Sequence, residues 1–278
     1  MVDGVTTQLN AVTFDAASTA VLTGMSERYG SVLGSESVTF TGTGFSQSAA
    51  TKVLIDNREC SVTAKTTNSI TCTTLDKPYK PDEPSLVISI DGMGYVATKG
   101  LVYRYVSRWS DSQTWNFDLS PQTGEAVNVP KGLHLLVDID ATPVLSFINV
   151  EGSLIFAPHS DPNHQRTFAA HYILVKGGYM EIGTEDHRYT SKLTITMHSS
   201  KYDANLPIFG NKVIGVHYGT LEMHGVERSH TWTDMKQTAE AGATSITLND
   251  VTGGVPLDWQ VGEEIVIAST DISGRNVE

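Results

Sequence analysis

Two aspartates in this 278-residue sequence have the type and spacing for chemistry. Asp138 and Asp140 stand two residues apart in LVDIDAT, which places both side chains on one face if the segment is a strand. Paired carboxylates can bind Ca²⁺ or act as acid and base in glycoside cleavage. Acids that face water at a strand edge give the same pattern, and Ca²⁺ needs about six oxygens or more. We favour acids that face water and assign no catalytic residue, with Asp138 and Asp140 as the candidates if the protein has catalytic residues. We expect neither a metal nor another cofactor.

The histidines form a second group. The segment APHSDPNHQRTFAAH combines imidazole and carboxylate side chains that could bind a transition metal, at His159, Asp161, His164 and His171. Its spacing matches no standard zinc pattern, so we interpret it as a solvated loop. His217 and His224 lie an odd number of residues apart, and a straight strand would point them to opposite faces. A shared metal is not expected there either.

Cleavage of an anionic sugar would also require an arginine beside the acids. Arg166, Arg188 and Arg228 are available, but the sequence places none of them in a constellation with Asp138 or Asp140. The sequence contains no Gly-x-Ser-x-Gly, no phosphate-binding loop and no candidate catalytic cysteine. We therefore expect the protein not to be an enzyme.

The charge balance limits the partners. A net charge of −12 argues against nucleic acid, whose binding depends on clustered Lys and Arg. It argues less strongly against acidic polysaccharides and anionic membranes. No apolar run approaches the roughly 20 residues that span a bilayer, and no signal peptide is recognisable at the start. We expect a segment of a longer parent chain that makes no membrane contact itself.

A repeated phrase organises the chain from Arg108 onward. Gly152, Gly178 and Gly219 each begin the pattern glycine, any residue, apolar, any residue, apolar. Each phrase follows an apolar run, VLSFINV, HYILV or KVIGV. Recurring strands of this kind predict the stacked coils of a parallel β-helix, with the glycine where the chain bends sharply. That would explain two adjacent glycines, Gly177 and Gly178, inside a strand-like segment.

The region before Arg108 has a different sequence pattern. Short alternating strands with frequent turns, among them SVTFTGTGF, TKVLIDNREC and SLVISIDGMGYV, predict an immunoglobulin-type sandwich. Cys60 and Cys72 flank a predicted hairpin, and their spacing suits a cross-strand disulfide or a pair of buried free thiols. The fold class is all-β throughout. Trp109 and Trp115 are expected to seal the junction between the two regions. Two other tryptophans, Trp232 and Trp259, would pack the far end of the second region or offer a sugar-stacking surface.

Two family resemblances attach to these residues. YGSVLGSESVTFTGTGF, VLIDNRECSV and SITCTT together resemble an IPT/TIG domain. VNVPKGLHLLVDIDATPVLSFINVEGSLIFAP, YILVKGGYMEIGTE and KVIGVHYGTLEMHGVERSHTWT resemble a G8 domain, and LDWQVGEEIVIASTD resembles the segment that follows G8 domains. The expected organisation is the last strand of a preceding IPT/TIG module at 1–22, an IPT/TIG domain at 23–106, a G8 domain at 107–234 and a further β-rich segment at 235–278.

The resemblance implies a setting and a role. IPT/TIG followed by G8 is the arrangement of fibrocystin-like proteins, which are large proteins of cilia and cell surfaces. It implies an extracellular location, a Cys60–Cys72 disulfide, and structural glycines at Gly152, Gly178, Gly183, Gly219 and Gly225. The leading hypothesis is a non-catalytic spacer and adhesion segment with protein or glycan partners at the cell surface. Because G8 domains also occur in proteins linked to hyaluronan breakdown, glycan binding or depolymerisation is the alternative. A resemblance to the immunoglobulin-like modules of transcription factors conflicts with the acidic charge.

Overall fold

The structure is a computed structural model, and it describes residues 19–77, 85–116, 119–206, 209–249, 251–252 and 254–268. The strand expected in residues 1–22 from a preceding module falls mainly on residues 1–18, outside the described residues. Two compact units divide between His224 and Gly225. None of the helical segments in the described part of the chain is long and apolar enough to span a bilayer.

The first nine strands include an antiparallel sandwich. Their bounds are β1 Val21–Met25, β2 Tyr29–Ser31, β3 Ser37–Thr43, β4 Thr51–Ile55, β5 Arg58–Lys65, β6 Ser69–Thr73, β7 Leu86–Ile90, β8 Gly94–Tyr95 and β9 Arg104–Arg108. Seven of them pair in the order β1-β3-β6-β5-β4-β7-β8. Alternation buries one face of β3, β4, β6 and β7, for example Val38 and Phe40 in β3. This is the immunoglobulin-like layer structure that the alternation predicted.

Strand β5 is the point where the sandwich sheet turns back. Its first residues pair with β4 and its later residues pair with β6, with a register shift between Val62 and Ala64. Cys60 in β5 and Cys72 in β6 form a disulfide, with their Cα atoms 5.5 Å apart. Both sulfur atoms belong to the buried core of the sandwich. The disulfide therefore joins two neighbouring strands at the bend of the sheet.

A solenoid of parallel strands follows. A 3-10 turn at Ser112–Trp115 precedes β10 Ala126–Val129, β11 His134–Val137, β12 Ala141–Val150, β13 Ser153–Phe156, β14 Gln165–Lys176, β15 Tyr179–Ile182, β16 Lys192–Met197, β17 Ile214–His217 and β18 Thr220–Met223. One sheet has the order β10-β12-β14-β16, with β17 also paired to β14. The other sheet stacks β11, β13, β15 and β18. All these pairs are parallel, as expected for coils of a β-helix.

Apolar side chains stack from coil to coil inside the solenoid. Val150 is the register partner of Val129 on one side and of Val175 on the other. Leu154 in the opposite sheet lies between Leu135 and Met180 in the same way. These side chains are fully buried in one core. The apolar runs before each glycine phrase thus lie in the stacked strands β12, β14 and β17.

The glycines of the phrase stack at one corner of the coils. A Cβ atom on Gly152 would lie 2.2 Å from the Leu133 carbonyl oxygen, and one on Gly178 would lie 2.4 Å from the Val150 carbonyl oxygen. A Cβ on Gly219 would lie 2.7 Å from the Gly178 carbonyl oxygen. The backbone of the preceding coil fills the space that a side chain would need. The adjacent Gly177 instead adopts a φ of +71°, so the two neighbouring glycines serve different purposes.

The sandwich contributes strands to the solenoid. The complete order of the second sheet is β18-β15-β13-β11-β9-β2, in which β2 and β9 come from the first region of the chain. β9 pairs in parallel with β11 on one side and with β2 on the other. Trp109, directly after β9, is buried in the solenoid core with its ring centroid 5.0 Å from that of Trp115. One continuous sheet therefore crosses the junction.

The second unit, from Gly225, contains a two-stranded antiparallel pair, β19 Val251–Thr252 and β20 Val255–Pro256. Asp258 accepts hydrogen bonds from the backbone and side chain of Ser229. Trp259 Nε1 donates to the His230 carbonyl oxygen, whereas Trp232 is largely exposed. A Cβ atom on Gly225 would meet nothing within 4 Å.

Candidate functional site

The two candidate aspartates lie on a corner. Strand β11 ends at Val137 and β12 begins at Ala141, so Asp138 and Asp140 belong to the connection between them. The prediction that both project from one face of a strand is wrong, because the chain turns between the coils here. Asp138 accepts hydrogen bonds from the backbone N and the Oγ of Ser110, at 2.9 and 2.6 Å. Asp140 has entirely different partners.

Asp140 belongs to a group that we name the corner cluster, which comprises Asp140, His159, His164 and Arg166. His164 Nε2 donates to Asp140 Oδ1 at 2.8 Å, and this hydrogen bond holds the pKa of Asp140 below its usual range. The ring of His159 stacks on that of His164 with centroids 3.9 Å apart. Adjacent coils thus bring Asp140 together with residues that follow it by 19 to 26 positions in the sequence.

An arginine completes the corner cluster. Arg166 Nε lies 3.6 Å from Asp140 Oδ1, and the Arg166 side chain is almost entirely buried. Its Nη1 donates to the Ala157 carbonyl oxygen, while Nε makes no hydrogen bond. The expectation that no arginine accompanies Asp138 or Asp140 is therefore wrong for Asp140. Arg166 stands at the start of β14 and reaches the preceding coil, a contact that spacing along the chain does not show.

The other histidines do not join the corner cluster. Asp161, the acid of the same segment, contacts the corner cluster only through its backbone N, which donates to His159 Nδ1. His171 belongs to β14 rather than to the loop and lies 3.9 Å from Asp203. His217 ends β17 and His224 follows β18, so no single straight strand carries both. Across the residues that the structure describes, no three His, Cys, Asp or Glu side chains are arranged to hold a metal ion.

A second polar group lies at the junction of the two regions. We name it the junction cleft and define it by Arg28, Tyr29, Arg104, Tyr179 and Glu181. Glu181 in β15 is only 2% exposed, yet it carries a carboxylate. The Tyr29 hydroxyl donates to its Oε1, and Arg28 Nη1 lies 3.4 Å from the same oxygen. Arg104 Nη1 lies 3.9 Å from its Oε2.

Tyr179 extends the junction cleft towards the next coil. The guanidinium of Arg104 lies over the Tyr179 ring, 5.5 Å from its centroid. The Tyr179 hydroxyl donates to Glu222 in β18, and Glu222 lies 3.5 Å from His224 Nε2. Burial and the neighbouring carboxylates raise the pKa values of Tyr29 and Tyr179 above the usual range, so both hydroxyls remain donors.

Two histidines near the junction cleft remain neutral at physiological pH. Burial, with added repulsion from Arg104 and Lys77, lowers the pKa of His134 to about 4. Burial and Arg28 also lower the pKa of His187. His134 Nδ1 lies 2.9 Å from Ser153 Oγ in the neighbouring coil. These side chains were absent from the sequence predictions. A signal for them was available in GGYMEIG, where Glu181 interrupts an otherwise apolar or glycine-rich strand.

Comparisons with known proteins follow this division of the chain. The family model described as IPT/TIG domain matches residues 20–105, and the model described as G8 domain matches residues 114–236. Fibrocystin-L of Homo sapiens is 30% identical over 259 residues, which are 93% of this chain and 6% of that protein. Fibrocystin of Canis lupus familiaris is 30% identical over 219 residues, 78% of this chain and 5% of that protein.

A third relative matches the solenoid part of the chain. The cell surface hyaluronidase of Danio rerio is 34% identical over 122 residues, which are 42% of this chain and 9% of that protein. The chain thus spans less than a tenth of the length of each of these three relatives.

Proposed function

Because this chain contains an IPT/TIG domain followed by a G8 domain, we propose that it is a non-catalytic structural and interaction segment of a larger extracellular protein. The setting would be a cell or cilium surface, a proposal that the similarity to fibrocystin-L and fibrocystin supports. The Cys60–Cys72 disulfide supports an oxidising compartment. In this role the IPT/TIG domain spaces and caps the chain, and the G8 solenoid provides surface for assembly or adhesion.

The observation that carries the proposal is the sheet that crosses the junction. β9 is covalently the last strand of the IPT/TIG region and is hydrogen-bonded between β2 and β11. Two domains that share a sheet have no flexible linker between them, so their relative orientation is fixed. A fixed orientation suits a segment that keeps the successive domains of a long chain at defined angles to one another.

A binding and turnover assay tests the absence of catalysis. The purified chain is incubated with a panel of glycosaminoglycans, hyaluronan included, with and without Ca²⁺, and polymer length is followed by gel-permeation chromatography. We expect every polymer to keep its length. Shortening of any member of the panel would overturn the non-catalytic proposal.

The corner cluster supports a second candidate function, which is glycan depolymerisation. The Asp140 carboxylate has an imidazole at 2.8 Å and an arginine at 3.6 Å, an arrangement suited to proton transfer beside an anionic sugar. The similarity of the solenoid to a cell surface hyaluronidase favours the same candidate. If shortening occurs, Asp140→Asn should abolish it, while Asp138→Asn, whose partner is Ser110, should retain it. Equal loss in both variants would exclude the corner cluster as the specific site.

A further inference from the structure

Two guanidinium groups of the junction cleft meet one buried carboxylate. Arg28 and Arg104 share a single carboxylate, that of Glu181, and neither guanidinium forms a bidentate pair with it. The neighbouring cations each have a carboxylate of their own. Lys77 lies 2.6 Å from Asp56, and Arg108 lies 2.6 Å from Glu36. Within the five residues of the junction cleft, two guanidinium groups therefore face one carboxylate, and the next carboxylate, Glu222, lies beyond Tyr179.

The guanidinium groups are held in place and remain reachable. The side chains of Arg28 and Arg104 are 22% and 28% exposed, whereas the Glu181 side chain beneath them is 3% exposed. The ring of Tyr179 supports Arg104, and the backbone N of Arg104 donates to the Arg28 carbonyl oxygen. Fixed, partly desolvated donors interact with an anion more strongly than the same groups in open water.

Burial first, and then the positive charge of the two arginines, lowers the pKa values of two neighbouring histidines. Arg104 and Lys77 act with burial to disfavour the protonated form of His134, against an opposing effect of Asp56. Arg28 acts in the same way on His187, against Asp186 and Glu181. Glu222, the next carboxylate along the sheet, is bound by the Tyr179 hydroxyl and lies beside His224. Arg28 and Arg104 therefore place positive charge at the partly exposed surface above Glu181.

The chemistry fits one anionic group rather than a polymer of charges. A polyanion requires a stripe of cations along its length, and the surrounding surface of this acidic chain would repel it. A lone carboxylate on a side chain needs only a fork of guanidinium donors. We propose that the junction cleft binds a single Asp or Glu side chain of a partner protein, with Arg28 and Arg104 as the donors. This proposal rests on the interaction role proposed above and names the chemistry of its partner.

Nuclear magnetic resonance of the arginine side chains tests the proposal on the whole chain. The Nε–H signals of Arg28 and Arg104 are followed during titration with acetyl-Gly-Glu-Gly-amide and with acetyl-Gly-Gln-Gly-amide, which has nearly the same shape but no charge. We expect saturable shifts with the glutamate peptide, at a Kd on the order of 1 mM for so small a ligand. Arg104→Gln should weaken this binding about tenfold, as should Arg28→Gln.

The matched control is Arg58→Gln. Arg58 pairs with Asp76 at 3.1 Å on the exposed sandwich surface, so this variant removes the same charge away from the cleft. It should bind the glutamate peptide like the unaltered chain. Equal shifts with both peptides, or unaltered binding in Arg104→Gln, would overturn the proposal. Tighter saturable binding of a hyaluronan tetrasaccharide at the same two arginines would overturn the assignment to a protein partner. Polymer shortening in the separate turnover assay would instead remove the non-catalytic role itself.

Discussion

At the scale of single residues, the two glycines of the KGGY corner show how one residue type meets two different demands. Gly178 lies where the carbonyl groups of the preceding coil leave no room for a Cβ atom. Gly177 has open space around it, but its φ of +71° is a conformation that L-residues adopt at a cost. The first demand comes from the neighbouring coil, and the second comes from the turn itself.

Alanine substitutions separate these two demands. Gly178→Ala should lower the free energy of unfolding by about 3 kcal/mol, because backbone atoms at 2.4 and 2.6 Å from the new Cβ must move. Gly177→Ala should lower it by only about 1 kcal/mol, from backbone strain alone. Urea denaturation of both variants measures the difference. Equal destabilisation would show that the corner is not packed against the preceding coil.

His134 makes the stability depend on pH. Its folded pKa of about 4 lies below the ordinary value of 6.5, so the unfolded chain binds the proton more tightly. Its contribution is constant above pH 6.5 and is lost as the pH falls towards 4, by about 3 kcal/mol in total. The lowered pKa of His187 acts with the same sign.

Urea titrations at pH 7.5, 5.5 and 4.5 test this dependence. His134→Gln has no imidazole to protonate, so it should lose less stability over this range than the unaltered chain. The difference between the two proteins at pH 7.5 gives the contribution of the His134 hydrogen bond and packing, and it serves as the reference. An identical acid loss in both proteins would contradict the assignment to His134.

At the scale of elements, the disulfide joins strand β5 to strand β6. β5 divides its pairing between β4 and β6, and the Cys60–Cys72 bond fastens it to β6 at the bend. The covalent loop spans a sequence separation of 12 residues. Replacing both cysteines with alanine should lower the free energy of unfolding by about 3 kcal/mol. Differential scanning calorimetry of the unaltered and double-variant chains measures it, and an unchanged melting temperature would show that the strands hold without it.

The elements also show what the sequence can and cannot predict. Alternation at Val38 and Phe40 gives the sandwich strands, and the glycine phrase gives the stacked coils, because both patterns repeat at the spacing of a strand. Nothing in YGS, the three residues of β2, indicates that they extend a parallel sheet with residues some 75 positions later. The sequence also does not show that the residues of the corner cluster are close together, since Asp140 and Arg166 approach each other only after two coils have stacked.

At the scale of the whole molecule, the shared sheet predicts coupled stability. Loss of the disulfide acts on the sandwich, but β2 and β9 carry the effect into the sheet that includes β11 and β13. Hydrogen exchange followed by mass spectrometry should therefore show reduced protection of β13 as well as of β3 in the double cysteine variant, by similar free energies of about 3 kcal/mol. Protection lost only in β3 would show that the two regions open independently.

The position of β9 between β2 and β11 has a mechanical consequence. A pulling force that reaches the junction meets no slack segment that could lengthen first, because the chain passes from one domain to the next inside a paired strand. Separating the domains requires the hydrogen bonds between β9 and β11 to break. The junction should therefore bear load as a solid part of the molecule, and extension under tension should begin elsewhere along the chain.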